Sequence, residues 1–277
     1  MKKLAFLTCV CIVFISCNNV EKKGEERLEI ARKAFERGDY SEAKIQIDSI
    51  KILYPKAFEA RKKGVCLLQE VELKEQTKSL IYLDSLLKQK EKELSVMKEK
   101  FTFEKNAEYQ SIGNYFYPTQ TVEKNLHRSF LRFQVNEKGE MIMTSIYCGG
   151  RNIHHTSVKA TAPDGSFAQT PPSKDIYETT DLGEKIEKAD YKKGEDGGVI
   201  DFLYLNKDKN IRIEFIGDHN YAFTLPAADK TALINIYELA QTLTAVSQIK
   251  KEQEEANLKS RFIEKMKEKD EKMDSHQ

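Results

Sequence analysis

Residues 131–148, LRFQVNEKGEMIMTSIYC, decide the fold. Along an extended chain Leu131, Phe133 and Val135 face one way and Arg132 and Gln134 the other, because strand side chains alternate between faces. Asn136-Glu137-Lys138-Gly139 is a polar turn, and Met141 to Cys148 resumes the alternation. The stretch reads as a β-hairpin with one buried face. Outward from it the same period recurs. Thr156–Thr161 and Ile176–Thr180 read as strands. Val199–Leu205, the turn Asn206–Asn210, and Ile211, Ile213 and Phe215 read as a second hairpin. Tyr221, Phe223 and Leu225 add a short strand. Gly149-Gly150, Pro163-Asp164-Gly165, Pro171-Pro172 and Gly194 to Gly198 mark the loops between them. The pattern predicts a mostly antiparallel β-domain over 102–225, built as a sandwich or a partly open barrel.

Helical periods flank this domain. No proline interrupts Ala57 to Phe101, where Leu73, Leu80, Leu87, Leu94 and Phe101 fall seven residues apart with Leu83 and Met97 on companion positions. That spacing is a heptad seam, interrupted by Gln76 and Lys90. After Pro226 a second seam begins, with Asp229 as N-cap and Leu233, Ile236, Tyr237, Ala240, Leu243 and Val246 on one face. Ile249, Ala256, Ile263 and Met266 continue it. Two long helices around an inserted domain can return antiparallel as a stalk, and a homodimer joined through the same seams competes with that pairing. Lys and Glu on the remaining faces describe solvated surface. The expected class is α+β: an N-terminal helical hairpin and two long antiparallel helices flanking the β-domain.

The hairpin is read from Leu28, Ala31, Ala34 and Phe35, then Ala43, Ile47 and Ile50, each set at helical spacing. Residues 31–55, ARKAFERGDYSEAKIQIDSIKILYP, resemble one tetratricopeptide repeat on Ala31, Ala34, the Gly38-Asp39-Tyr40 turn, Ala43 and Pro55. Arg27 and Ile30 stand where that repeat carries a large apolar residue, and no second copy follows after the repeat period of about 34 residues. The resemblance implies a helical hairpin rather than a peptide-binding solenoid.

The chain opens MKKLAFLTCVCIVFISC. Lys2 and Lys3 precede an apolar run, Leu4 to Ile15, that is shorter than the roughly 20 residues a bilayer span needs. This is the pattern of an export signal. Phe14-Ile15-Ser16-Cys17 resembles the lipobox of bacterial lipoproteins, with Phe14 in place of the usual Leu. The resemblance implies cleavage before Cys17, diacylglycerol on its thiol and acylation of its amine. Asn18 behind the cysteine implies outer-membrane rather than inner-membrane retention, on either face. The expected divisions are a signal over 1–16, a flexible tether over 17–26, the hairpin and long helix over 27–101, the β-domain, and a C-terminal helix with charged tail over 226–277.

Composition narrows the function. The chain holds 45 basic and 44 acidic side chains, and loss of Lys2 and Lys3 with the signal leaves it near neutral. No single-sign field draws nucleic acid to it. Cys9 and Cys11 leave with the signal and Cys17 takes lipid, so Cys66 and Cys148 remain, expected as two separate thiols rather than a bridge. His154 and His155, being adjacent, would point to opposite faces of a strand and cannot share one metal ion. Cys148 lies in an apolar strand, the setting of an inert thiol. There is no Gly-x-Ser-x-Gly elbow and no phosphate-cradling glycine loop before a helix. Glu195 and Asp196 lack EF-hand spacing. No catalytic residue, metal or cofactor is expected.

Two readings of function follow. The first is a lipid-anchored envelope protein that holds another envelope protein, without catalysis, through the hairpin or the β-domain. The second is capture of a glycan or small molecule by the aromatic cluster Tyr115, Phe116 and Tyr117 or by the loop from Gly149 to His155. Burial of those rings against the long helix, near Leu94 or Phe101, is the competing use of them.

Overall fold

The computed structural model describes residues 2–105, 108 and 111–274, with side chains described between 19 and 272. In chain order, helices α1 (Lys2–Glu36), α2 (Tyr40–Leu53) and α3 (Phe58–Lys98) precede strands β1 (Thr102–Glu104) and β2 (Asn114–Phe116). Two 3-10 turns within 118–124 lead to β3 (Phe130–Asn136), β4 (Met141–Gly149), β5 (Ser157–Thr161), β6 (Phe167–Gln169), β7 (Ile176–Asp181) and β8 (Glu184–Lys192). Helix α4 (Val199–Leu205), strands β9 (Arg212–Ile216) and β10 (Tyr221–Thr224) and helix α5 (Ala227–Asp274) follow. The class is α+β, as expected, with two sheets and no closed barrel. The chain divides into a helical unit, Met1–Leu86 with Lys250–Gln277, and a β-rich unit, Leu87–Ile249. Among the described residues no helix is long and apolar enough to cross a membrane.

In the helical unit, Gly38 takes φ 76°, a value glycine adopts without a Cβ penalty, and the Asp39 side chain accepts the Glu42 amide at 3.1 Å. That turn folds α2 back on α1. Leu28 and Ala31 then pack with Ile47 and Ile50, while Ala34 meets Ala43 and Val71. Burying a side chain such as Ile50 contributes about 1.5–3 kcal/mol. The flexible tether expected over 17–26 is corrected here, because residues 19–26 continue helix α1. Glu21 accepts the Ala60 amide at 2.7 Å, satisfying a free donor in the first turn of α3. A Cβ on Gly24 would lie 2.7 Å from the Ala57 Cβ, so only glycine lets the helices approach this closely. The polar composition that suggested a tether forms the outer face of that helix. Further along, Gln69 donates to Asp270 at 2.9 Å and Lys267 lies 4.0 Å from Glu70, so early α3 runs antiparallel to late α5.

In the β-rich unit the first sheet has the order β1-β2-β3-β4-β8-β7 and the second β10-β9-β5-β6, every pair antiparallel. Leu131, Phe133, Val135, Met141 and Met143 from the first sheet share one core with Val158, Ile213 and Phe215 from the second. Leu233, Ile236, Leu239 and Leu243 of α5 and Leu94 of α3 join it. Here the Thr242 hydroxyl of α5 lies 3.5 Å from the Met97 sulfur of α3, so the two helices also touch within this unit. The β3–β4 turn docks on α5: a Cβ at Gly139, whose φ is +86°, would meet the Thr244 hydroxyl at 2.5 Å.

Two strand readings are corrected. Val199–Leu205 is helix α4, not half of a hairpin. Buried Asp196 accepts the Ile200 amide at 2.7 Å and the Gly194 amide at 3.0 Å, and Gly197 and Gly198 take left-handed conformations just before the first turn. Val199, Ile200 and Leu203 are the buried positions, a helical rather than alternating set. The strand reading missed β8, which pairs with both β4 and β7. Its charged outer residues hide an inner face of Glu187, Ala189 and Tyr191.

Candidate functional site

The expected ligand platform belongs to the protein's own packing. Tyr115 is buried in the core with its ring 4.8 Å from Phe103 and the Lys98 ammonium 5.3 Å above it. Phe116 is buried beneath the Arg132 guanidinium, 5.5 Å away. Tyr117 packs edge-on against Phe101 at 6.0 Å. The rings are spent on protein contacts, which removes the basis for a sugar or peptide platform there. Cys17, the expected lipid-attachment residue, lies outside the residues whose side chains are described.

The loop from Gly149 to His155 is organised by Glu187, which β8 aims into the interior. Glu187 Oε1 accepts the amides of Ile153 at 2.7 Å and His154 at 3.1 Å. Its Oε2 accepts the His155 amide at 3.1 Å and the His155 Nδ1–H at 3.0 Å. Burial opposes ionisation of this carboxyl, but the three amides and the imidazole outweigh it and hold its pKa below the usual range. On the far side of the ring, the Ser145 hydroxyl donates to His155 Nε2 at 2.7 Å. Burial pushes the His155 pKa down, so the ring is neutral and carries its proton on Nδ1, toward Glu187.

Ser145, His155 and Glu187 therefore stand in the order of a serine hydrolase triad. Their surroundings decide against that chemistry. Ser145 is 0%, His155 1% and Glu187 0% exposed, and the imidazole stacks on Phe215 at 4.9 Å. No substrate carbonyl reaches a hydroxyl sealed between two sheets. The arrangement is a polar clamp that fastens the loop to the sheet core. The sequence held one legible trace of it, an acid at an inward position of β8, but the lysine-rich strand around it concealed the register.

His154 and His155 lie in the loop before β5 rather than in a strand, which corrects the alternation expected of them; His154 takes φ 50° and its exposed Nδ1 lies 2.9 Å from Glu178 Oε1. Ligand atoms of His154, Glu178 and Glu187 lie within 4.8 Å of one another. Glu187 already accepts four hydrogen bonds, so His154 and Glu178 alone would remain for an ion, fewer than the three or four protein ligands of a zinc site.

Cys148 sits at the end of β4 and donates to Glu184 Oε2 at 3.3 Å, and the same oxygen receives His127 Nδ1. Burial, reinforced by the carboxylate, pushes the Cys148 pKa up to about 11. The neighbouring acid keeps this group a thiol, the opposite of what a nucleophile requires. Cys66 is likewise a free thiol.

The helical unit carries a different kind of surface. A groove between α2 and the start of α3 is lined by apolar Ile47, Phe58, Val65 and Leu68 and by basic Lys51, Arg61 and Lys62 against one acid, Asp48. Phe58 is 69% exposed and Ile52, on α2, 74%. No family model matches this chain, and no curated protein or solved structure matches it either.

Proposed function

We propose that this chain is a lipid-anchored, non-catalytic binding module of the cell envelope, tethered through Cys17. It holds an acidic amphipathic helix of another envelope protein in the groove between α2 and α3. The observation that carries this is the exposure of Phe58 and Val65 in a groove that Leu68 also lines. Stacked helical repeats end in a cap with a polar outer face, because an apolar outer face is where the next unit packs. Here the hairpin keeps an apolar face where such a cap would be polar, and contiguous exposed apolar surface marks an interaction site. Lys51 and Arg61, which line the groove, select acids on the partner's flanks.

A photoreactive residue in place of Val65, in living cells, tests this. The expected result is a reproducible crosslink to one envelope protein, mapping to an acidic helix and lost in Phe58→Glu. Crosslinks to a second copy alone would refute it and favour dimerisation. For the anchor, Cys17→Ala is expected to release the protein into the soluble fraction, and unchanged membrane association would count against lipidation.

A further inference from the structure

The outer face of the first sheet is the one turned away from the shared core. It carries cross-strand rows of Phe130, Ile146 and Lys188, and of Arg132, Thr144 and Asp190. The two 3-10 turns cross over part of it. Buried Gln120 pins them there, donating to the Leu131 carbonyl at 2.8 Å and accepting the Phe133 amide at 2.8 Å. Between turns and sheet lies a cavity of about 90 Å³ walled by Phe130, Ile146 and Ile186, with Val122 and Leu126 exposed at its rim.

The polar groups around this cavity are one-sided. Arg128, Arg132, His127 and Lys188 line it, and no acid does. Arg128 is engaged by Asp229 at 2.5 Å and His127 by Glu184, while Lys188 lies over the Tyr177 ring at 5.9 Å and Arg132 over the Phe116 ring at 5.5 Å. Arg132 has no ion pair among the described residues, and its Nε is buried without a hydrogen-bond partner. The nearest acid along its row, Asp190, is two strands away and takes the Thr144 hydroxyl at 2.5 Å. The Arg128 Nε is also buried and unpartnered. A partly buried cation without an ion pair is costly, and a guanidinium edge matches a carboxylate in geometry and charge. Burial accordingly lowers the Arg132 pKa from its usual value, with Asp190 and Glu104 opposing.

We infer that this cavity binds a monocarboxylate with a short alkyl body, its carboxylate on Arg132 and its chain between Ile146, Ile186 and Leu126. One guanidinium with a free buried Nε and no ion pair among the described residues calls for a monoanion, and apolar walls reject a fully hydrated ion. The cavity is smaller than the roughly 150 Å³ that admits benzene in an engineered core, which limits the enclosed part to a few carbons. The site lies in the β-rich unit and does not depend on the partner-binding reading.

Calorimetric titration of the full chain carrying Cys17→Ala tests it, with octanoate, octan-1-ol and acetate as probes. Octanoate is expected to bind at one site, with octanol weaker by about tenfold or more because it lacks the charged hydrogen bond, and acetate weaker by about tenfold or more because it lacks the buried alkyl chain. Arg132→Gln should reduce octanoate to the level of octanol while leaving octanol unchanged. Leu126→Asp, at an exposed rim position that leaves the fold intact, should weaken octanoate more than octanol. No octanoate binding, equal affinity for octanoate and octanol, or octanoate binding indifferent to both substitutions would overturn the inference.

Discussion

Replacing Glu187 with Gln isolates the charge at the centre of the polar clamp while keeping the side-chain shape. The carboxylate accepts three backbone amides at 2.7, 3.1 and 3.1 Å and the His155 ring at 3.0 Å. A hydrogen bond to a charged group is worth about 1.5–3 kcal/mol net. A carboxamide keeps one acceptor oxygen but turns an NH2 group toward two of the four donors. At least two bonds are lost in a site with no access to water, so the expected cost is about 3–5 kcal/mol, the scale on which breaking a buried ionic contact falls. For a unit of this size each kcal/mol moves the melting temperature by about 2–4 °C, which gives a fall of roughly 6–20 °C. The assay is thermal unfolding by circular dichroism, with amide exchange at Ile153, His154 and His155 read in parallel. The acid side supplies a sign check. The folded pKa of Glu187 is depressed, so its contribution is present above the unfolded value and is lost as pH falls through the folded one. The gap between wild type and variant should therefore close on acidification below about pH 4.3. A variant melting within about 2 °C of wild type with the three amides still protected would refute the reasoning, and would mean that packing around Ile153 holds the loop.

His155 gives a second pH signature. Burial depresses its pKa, so the unfolded chain takes up a proton near pH 6.5 that the folded chain refuses, and stability should decline as pH drops from about 7 toward 5. His155→Gln should flatten that decline; His127 and His154, whose pKa values are raised by Glu184 and Glu178, remain in both proteins and cancel in the difference. An equal slope in the two proteins would sink this account. Asp196→Ala removes the cap of α4 and should cost about 1–2 kcal/mol, seen as a lower urea midpoint at unchanged slope. A midpoint equal to wild type would show that the glycine turn alone starts the helix.

Wherever one face of an element was buried and the other wet, the residue order carried the answer. Leu131, Phe133 and Val135 alternate against Arg132 and Gln134, and β3 lies where that alternation places it, whereas β4 is buried on both faces from Met143 to Tyr147. Leu28, Ala31, Ala34 and Ile50 recur at helical spacing, and they form the inner face of the hairpin.

Tertiary structure alone decided the rest, because there the deciding contact joins residues far apart in sequence. Val199–Leu205 became a helix through the buried Asp196 cap and two left-handed glycines, which outweigh a strand-like composition. Strand β8 reads as solvated charge until its register with β4 sets Glu187 inward among three amides of a distant loop. Tyr115 and Phe116 could have faced a ligand or the protein, and the approach of Lys98, Phe103 and Arg132 assigned them to packing. The unpartnered edge of Arg132 is equally invisible in a sequence rich in acids. Only the folded sheet places the nearest acid of its row two strands away and turns a common surface residue into the lining of a cavity.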